Sequence, residues 1–558
     1  MRFLISVRAL RIWQTRARPS SCHFHMSSLA PFVVIGSGPA GVACAQALLE
    51  KGHEVLMLDA GLGLEPARQE MVDRLAALPH EQWPAETVAR LKESMTPTSA
   101  GVPLKYLFGS DFPYRRPVSG AALERVGVGL QPSYAAGGLS SVWGAAMMPY
   151  HTRDMGAWPF TAEALAPHYE EVLRLTGMAG GSDDLEKDFP LHTSTAVPLR
   201  RTRQMEALLT DLRGAREGLR RDGITVGGSR VAVRAKPQDG MPGCEYCGMC
   251  MYGCPYGHIY SAAFTVREWR DHPRFRYQSG VVVQRVEEGA EGVRVFTRST
   301  AGAESPVIEA RRVLVAAGVI STTRILLESL SAYDRPVTIR DSQYFLLPLL
   351  RWRATKGVRA EPANVLSQLF AEISDPALGP YTVHLQLYGW NDLLDAGMRQ
   401  SLGPLALPAL VRQLGERMVI IQGYLHSDLS PGIEMRVTAA ANGGASTVTL
   451  RPVANPAAKK HVRRVALKLL GQSLRLHAFP LLPMLHIAEP GRGFHSGGSF
   501  PMRKNPAPFE SDTLGRPPGF SRVHAVDATV LPSIAATTIT LTAMANAHRI
   551  GSEAAGLD

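Results

Sequence analysis

Apolar residues are distributed along this chain in three distinct ways. Near the start, Phe32–Ile35 is a β-branched run that leads into Gly36-Ser-Gly38-Pro39-Ala40-Gly41. An alanine-rich stretch with helical spacing follows over about Gly38–Lys51, and Glu54–Leu58 is a second short apolar run ending on Asp59. The order strand, turn, helix, strand is predicted. Between 62 and 130, short helical patterns (Pro66–Leu78, Pro84–Ser94) alternate with Gly/Pro-rich loops. Residues 158–177 predict an amphipathic helix with Thr161 as N-cap and Gly177 just past its end. From 340 to 450 the runs YFLLPLLRW, NVLSQLFAEI, YTVHLQLYGW, MVIIQGYLHSDL, IEMRVTAA and STVTLRPV read as strands of a mixed sheet, with helices over 403–418 and Lys459–Leu476. The chain closes on a predicted strand, Arg522–Val526, that ends on Asp527. A loop through Pro532 and a helical run over about Thr537–Ile550 follow it.

Several of these patterns carry chemistry. In Gly36-x-Gly38-x-x-Gly41, the first glycine makes the tight turn, the second lets a pyrophosphate reach the helix N-terminus, and the third allows close packing. Asp59, at the end of the second strand, stands where an acid accepts ribose hydroxyls. The motif alone does not separate FAD from NAD. Gly137-Gly138-Leu-Ser140-Ser141-Val-Trp-Gly144 is a second glycine turn, whose amides and hydroxyls are able to face a phosphate or a ring. In GFHSGG, two glycines beside His495 let the backbone approach a ligand while the imidazole projects toward it. The tail helix opens on hydroxyl residues, with its positive end aimed at partial negative charge.

Composition narrows the picture. At 558 residues the chain is long enough for two intertwined domains with large cores. No apolar run is long enough to span a bilayer. Residues 1–25 hold five arginines and no acid, so nearly half of the formal charge of +11 sits there, and the rest is no nucleic-acid footprint. That basic stretch precedes Met26 and reads as a start-site artefact, as an organelle transit peptide or as a basic surface-binding arm; Arg8 and Arg11 interrupt it too early for a secretory signal. A cytoplasmic location is expected, or an organelle if the segment is a transit peptide.

Four of the six cysteines fall in one run, Cys244-x2-Cys247-x2-Cys250-x3-Cys254-Pro255, the spacing of a bacterial ferredoxin half-motif. The expectation is one iron–sulfur cluster, [3Fe–4S] or [4Fe–4S]. A structural zinc or metal-free thiols are the alternatives. His258 reads as a loop or core histidine.

The first glycine motif, GGLSSVWG, WPFTAEALAPHYEEVLRLTG, VLVAAGVISTTRILLES (313–329) and the C-terminal stretch together resemble the glucose–methanol–choline (GMC) oxidoreductases, over residues 31–340 and 485–553. The resemblance implies an α/β fold: a discontinuous Rossmann-type FAD-binding domain with a substrate domain on a mixed β-sheet. It implies bound FAD and oxidation of an alcohol or sugar hydroxyl. Domains are expected at 1–30 (extension), 31–340 (FAD-binding segments with the cysteine run inserted), 341–484 (substrate sheet) and 485–558 (FAD-binding and active-site tail). Gly36, Gly38, Gly41 and Asp59 match ADP-binding positions, with Pro39 and Ala40 beside them. Gly137, Gly138, Ser140 and Ser141 resemble the flavin-proximal loop. Val283 resembles the position whose backbone contacts adenine, Asp527 the acid near the phosphate–ribityl region, and Thr537 adjoins it. His495 matches the catalytic histidine. Where the family carries a second His or Asn, this chain has Thr538, which cannot titrate; Asn546 is too far along the helix to replace it. Some bacterial members carry a [3Fe–4S] cluster, and Cys244, Cys250 and Cys254 resemble that arrangement. His384 and His426, on predicted strands, are secondary candidates for the active site.

The function expected is FAD-dependent oxidation of a CH–OH group with His495 as base. Electrons would pass through the cluster to an acceptor other than oxygen, with an acceptor protein as partner. A non-catalytic flavoprotein, a cysteine-cluster electron carrier and an NAD-linked dehydrogenase are the alternatives.

Overall fold

The computed structural model describes residues 30–94, 104–238, 240–439 and 446–557. The extension expected over 1–30 lies, but for Ala30, outside the described residues.

Three sheets organise the chain. In the first, the strands run in the order Phe275–Gln278, Val55–Leu58, Ala30–Ile35, Ile308–Val315, Val293–Ser299, Val281–Glu288. Ala30–Ile35 pairs in parallel with both neighbours, and Phe32–Ile35 and Val313–Val315 are buried and apolar, as a sheet covered on both faces requires. The tail returns here: Val523–Ala525 pairs in parallel with Ile308–Val315, Val523 opposite Val313. Gly36 makes the turn after the first strand at φ +102, where a Cβ would stand 2.4 Å from the Ala316 carbonyl oxygen, so only glycine fits.

The tail helix spans Ile539–Ala554, two residues later at its start than expected, with Thr538 as N-cap. It is buried nearly all round because it lies against helix Pro39–Glu50 and helix Ala166–Thr176. Close approach is possible because Gly551 faces Cys44; a Cβ there would meet the Cys44 carbonyl oxygen at 2.8 Å. The two ends of the described chain are therefore packed together.

The stretch over 158–177 is not one helix. A 3₁₀ turn, Ala162–Leu165, precedes helix Ala166–Thr176, because Pro167 brings no backbone N–H and starts a new helix. Gly177 ends it at φ +64, as expected.

The second sheet has the order Ala478–Pro480, Tyr344–Arg351, Met418–Tyr424, Val383–Tyr388, Leu369–Ile373, Ile224–Gly228, with His486–Ile487 also on Tyr344–Arg351. All these pairs run antiparallel, a refinement of the mixed sheet expected. One face packs Phe345, Leu347, Leu385, Leu387, Val419 and Ile421 against helices Arg203–Gly214 and Ala458–Gly471. Side chains alternate across a strand, so Tyr344, Glu372, His384, Gln386, Tyr388, Gln422 and Tyr424 take the other face. The third sheet links Ser496–Gly497, Val337–Asp341, Gly432–Thr438, Thr447–Val453 and Ala122–Arg125. Helix Asp392–Leu402 was not anticipated, although Asn391 caps it, its side chain accepting from the Leu393 and Leu394 amides at 3.1 and 3.2 Å.

Candidate active site

The first glycine turn opens helix Pro39–Glu50, with Gly38 as N-cap, Pro39 and Ala40 in its first turn and no acid there. Its N-terminus thus keeps its positive character. The second glycine loop lies against it: a Cβ on Gly138 would stand 3.2 Å from Gly38 Cα. The two turns are stitched by Ser37, whose Oγ accepts from the Gly137 amide at 2.8 Å and donates to Asp59 Oδ2. Tyr277 donates to the same oxygen at 2.9 Å. Burial pushes Asp59 up to about 6, against the hydrogen bonds from Ser37 and Tyr277 and the amides of Gly61 and Ala60. The Asp59 carbonyl accepts from the Val281 amide at 3.0 Å, which brings the strand of Val283 alongside. Ser37 and Tyr277 were missed from the sequence, since neither belongs to the glycine spacing.

The serines differ from expectation. Ser140 Oγ donates to the Gly137 carbonyl at 2.5 Å, and Ser141 Oγ donates to that of Gly138 at 2.9 Å. Both hydroxyls fold the loop on itself, and Ser140 Oγ also accepts from the Ala262 amide at 3.0 Å, tying the loop to the start of helix Ala262–Glu268. Asp527 is also occupied: it accepts from the Gly318 amide at 2.8 Å, Thr322 Oγ1 at 2.6 Å and the Thr529 amide at 2.9 Å. Its carboxylate ties the tail to the turn before helix Val319–Ser329. Thr537 keeps a sealed Oγ1 with no hydrogen-bond partner, and Thr538 Oγ1 accepts from the Met148 amide at 3.2 Å.

His495 is carried by the third sheet, where Ser496 pairs with Asp341. The Asp341 carboxylate grips both ends of the loop, accepting from the Gly491 amide at 2.8 Å and Ser496 Oγ at 2.6 Å. Gly497 and Gly498 press on the turn after Asp527, where Cβ atoms would meet the Ala528 and Leu531 carbonyl oxygens at 2.2 and 2.7 Å. The His495 ring stacks on Tyr424, centroids 4.5 Å apart. Its Nδ1 is sealed and has no partner. Burial first, and then the neighbouring His384, push its pKa down to about 3, so the imidazole is neutral at ordinary pH.

Beneath it the second sheet presents one cross-strand row. Glu372 pairs with His384, His384 with Tyr424, and Tyr424 with Tyr344. His384 Nδ1 lies 2.5 Å from Glu372 Oε1. Of the two secondary candidates, His384 joins the site. His426 instead stacks on Tyr381 at 3.7 Å and accepts from the Asp428 amide.

The cysteine run requires a correction. Among the described residues, no three His, Cys, Asp or Glu side chains converge as a group able to hold a metal ion. Cys244, Cys247, Cys250 and Cys254 are free thiols, and burial pushes each of them up, Cys250 to about 12. Cys244 accepts from Asn364 Nδ2 at 3.7 Å and Cys254 from the His258 amide at 3.3 Å. As folded, the residues do not fit an iron–sulfur or zinc centre, although their spacing suggested one. Nearby Lys105 donates to the Trp143 carbonyl at 3.0 Å, and burial lowers it to about 8.

The arrangement fits a flavin dinucleotide. An uncompensated helix N-terminus with a second glycine turn lying against it makes a cradle for a pyrophosphate, and Thr537 and His495 each hold a sealed polar atom without a hydrogen-bond partner.

Residues 130–336 match the family model described as GMC oxidoreductase. The chain is 27% identical over 320 residues to 6'''-hydroxyparomomycin C oxidase of Streptomyces lividus, covering 54% of this chain and 50% of that one. It is 25% identical over 316 residues to paromamine 6'-oxidase of Streptomyces fradiae, covering 53% and 49%. It thus spans about half the length of the curated relatives it matches. Pyridoxine 4-oxidase from Mesorbium loti superposes with a TM-score of 0.58 at 13% identity, covering 94% of this chain and 99% of that one. Formate oxidase gives 0.56 at 14%, covering 95% and 99%. At such identities the structural likeness shows the α/β fold alone, and it agrees with the match to the family model. On these grounds residues 130–336 are similar to the GMC oxidoreductases, and the fold of the whole chain agrees with that match.

Proposed function

We propose that this chain is an FAD-dependent oxidoreductase that oxidises the CH–OH group of a small alcohol or sugar. The observation that carries the reading is the neutral imidazole of His495, its Nδ1 sealed without a hydrogen-bond partner, delivered by the tail onto Tyr424. The Gly36–Gly41 turn and Asp59 would hold the ADP half of the cofactor, with Val283 beside them. The Gly137–Ser141 loop, Asp527 and Thr537 would flank the remainder. When bound, FAD supplies the acceptor for hydride.

The protein's own contribution is to place and deprotonate the hydroxyl. His495 takes the hydroxyl proton at a ring nitrogen, and the stack on Tyr424 holds the ring in one orientation. Burial of the surrounding row excludes water. Thr538, whose oxygen already accepts the Met148 amide, retains its hydroxyl proton for donation to an oxygen in the site. The N-terminus of helix Ile539–Ala554, with no acid in its first turn, favours negative charge beside it. Both curated relatives are oxidases by name, which supports the oxidation itself. The expectation of an acceptor other than oxygen depended on the cysteine cluster and is left without a carrier.

The test is anaerobic loss of flavin absorbance when FAD-loaded protein is mixed with a panel of alcohols, sugars and paromamine. At least one hydroxyl compound is expected to bleach the flavin, and His495→Ala to abolish the effect. A flavin that no compound reduces would refute the reading. The same panel run in air, with peroxide measured, identifies the acceptor.

A further inference from the structure

Thr538 stands where the second titrating residue was expected, yet a second imidazole is present. It comes from the sheet beneath the site and not from the tail. We infer that His384, held by Glu372, is the second proton-handling imidazole of this active site, and that Gln386 and Tyr388 extend the pair as a directional hydrogen-bond relay. The inference rests on the oxidoreductase reading and adds to it.

The geometry assigns each proton. Burial raises the Glu372 carboxyl, and His384 and Arg230 act against it; in its ionised form Glu372 accepts only, so the 2.5 Å contact to His384 Nδ1 then has the hydrogen on Nδ1. Neutral His384 then offers a lone pair at Nε2. Gln386 Nε2 lies 3.2 Å from it and donates, which leaves Gln386 Oε1 to accept from the Tyr388 hydroxyl at 3.0 Å. Every donor in the series therefore points toward Glu372. His384, Gln386 and Tyr388 sit at alternate positions of strand Val383–Tyr388, so the series runs along a single sheet face. At its far end the Tyr388 hydroxyl would stand 3.5 Å from a Cβ on Gly144, at the end of the second glycine loop. With its proton committed to Gln386, that hydroxyl is left as an acceptor for an O–H or N–H of the substrate. At its near end, both His384 and His495 stack on Tyr424, at centroid distances of 6.1 and 4.5 Å.

Among the described residues no carboxylate is bonded to the His495 ring, whereas a carboxylate on Nδ1 fixes the tautomer of His384. A proton taken by His495 thus has a neighbouring base with an anion behind it. The charged and titratable groups facing the pair are Arg230, which favours ionised Glu372, Asp188 and Asp154, which oppose it, and His495. Arg230 donates through Nη1 to the Phe189 carbonyl and its Nη2 lies 4.0 Å from Asp183 Oδ1, while its Nε and Glu372 Oε2 are sealed without hydrogen-bond partners.

Two readouts on FAD-loaded protein test this. The first is the far-downfield proton NMR spectrum, which needs no substrate. A resonance from the Nδ1 proton shared with Glu372 is expected in wild type and in His495→Asn, and is expected to vanish in Glu372→Gln and His384→Gln. Its absence from wild type overturns the pair. The second is the pH profile of kcat/KM with whichever hydroxyl compound bleaches the flavin. Glu372→Gln is expected to lower plateau kcat by roughly a hundredfold and to move the acidic limb to lower pH, with KM little changed. An unmoved limb in a variant that keeps its FAD content would make the pair structural only and refute the inference. If no compound bleaches wild-type flavin, the oxidoreductase reading fails, and the inferred active-site role fails with it. The NMR arm still decides whether the pair exists.

Discussion

The rings of His495 and Tyr424 lie 4.5 Å apart with 24° between their planes, joining the tail of the chain to the floor of the second sheet. Such a stack is worth about 1 kcal/mol beyond the area it buries. Its main effect is on orientation, since a misplaced base loses more rate than the contact itself stabilises. Tyr424→Phe keeps the ring and should leave kcat within about threefold. Tyr424→Leu should lower kcat roughly tenfold or more with FAD content unchanged. Steady-state kinetics beside the flavin absorbance of each variant checks both.

Removing the base altogether has a larger effect. His495→Ala should lower kcat by about 10²–10⁴-fold while the protein stays yellow, because none of the groups holding the glycine turns depends on the imidazole. Loss of flavin in this variant would place His495 among the cofactor supports instead.

Packing of the two chain ends rests on Gly551, whose Cβ position lies 2.8 Å from the Cys44 carbonyl oxygen and 3.1 Å from its Sγ. Gly551→Val would have to move a backbone that is itself buried. A loss of about 1–3 kcal/mol is expected, seen as a lower thermal midpoint and weaker FAD retention. Added FAD should recover part of the midpoint, since a ligand that binds only the folded state stabilises it.

Two sets of buried groups oppose each other in the pH dependence of stability. Burial lowers His168, His258 and His524 to about 4 and His495 to about 3, below the unfolded value near 6.5. Their contribution is complete above that value and is lost as pH falls toward 4. Burial raises Asp154 and Asp341 to about 7 and Asp59 to about 6, so theirs is complete below about pH 4 and is lost as pH rises to 7. The histidines outnumber the acids, so stability should peak near pH 6.5, falling steeply on the acid side and gently on the alkaline side. Urea midpoints at pH 5, 6.5 and 8 measure it, and Asp341→Asn should flatten the alkaline slope.

The cysteine run also makes a measurable prediction. Cys44 and Cys250 are buried, and burial raises both thiols, Cys250 to about 12. Reactivity follows the thiolate. In native protein at pH 8 both should resist iodoacetamide over a time in which denatured protein is fully alkylated, as read by peptide mass. Rapid labelling of Cys250 in folded protein would contradict the buried arrangement.

Much of the cofactor end was legible because its signals are local. Gly36, Gly38 and Gly41 declare themselves by spacing, and the alternation in residues 340–450 marks its strands. What the spacing did not reveal was long-range partnership. Nothing near Asp59 in the chain points to Tyr277, and nothing near His495 points to Glu372. The row of Glu372, His384, Tyr424 and Tyr344 exists only once strand register is known. Cys244–Cys254 shows the converse: a compact spacing that matches a ligand motif, yet among the described residues its side chains form no group able to hold a metal ion. Pro167 was visible and its consequence for the helix was overlooked.

His495 rides on Ser496–Gly497, an edge of the third sheet, while the surface opposite it belongs to the second. Substitutions at Gln422 or Leu346 therefore reshape the receiving wall without disturbing the strand that carries the base. A library confined to that wall should change which molecules are accepted while the chemistry is inherited intact, so preference and reactivity can diverge independently in this architecture.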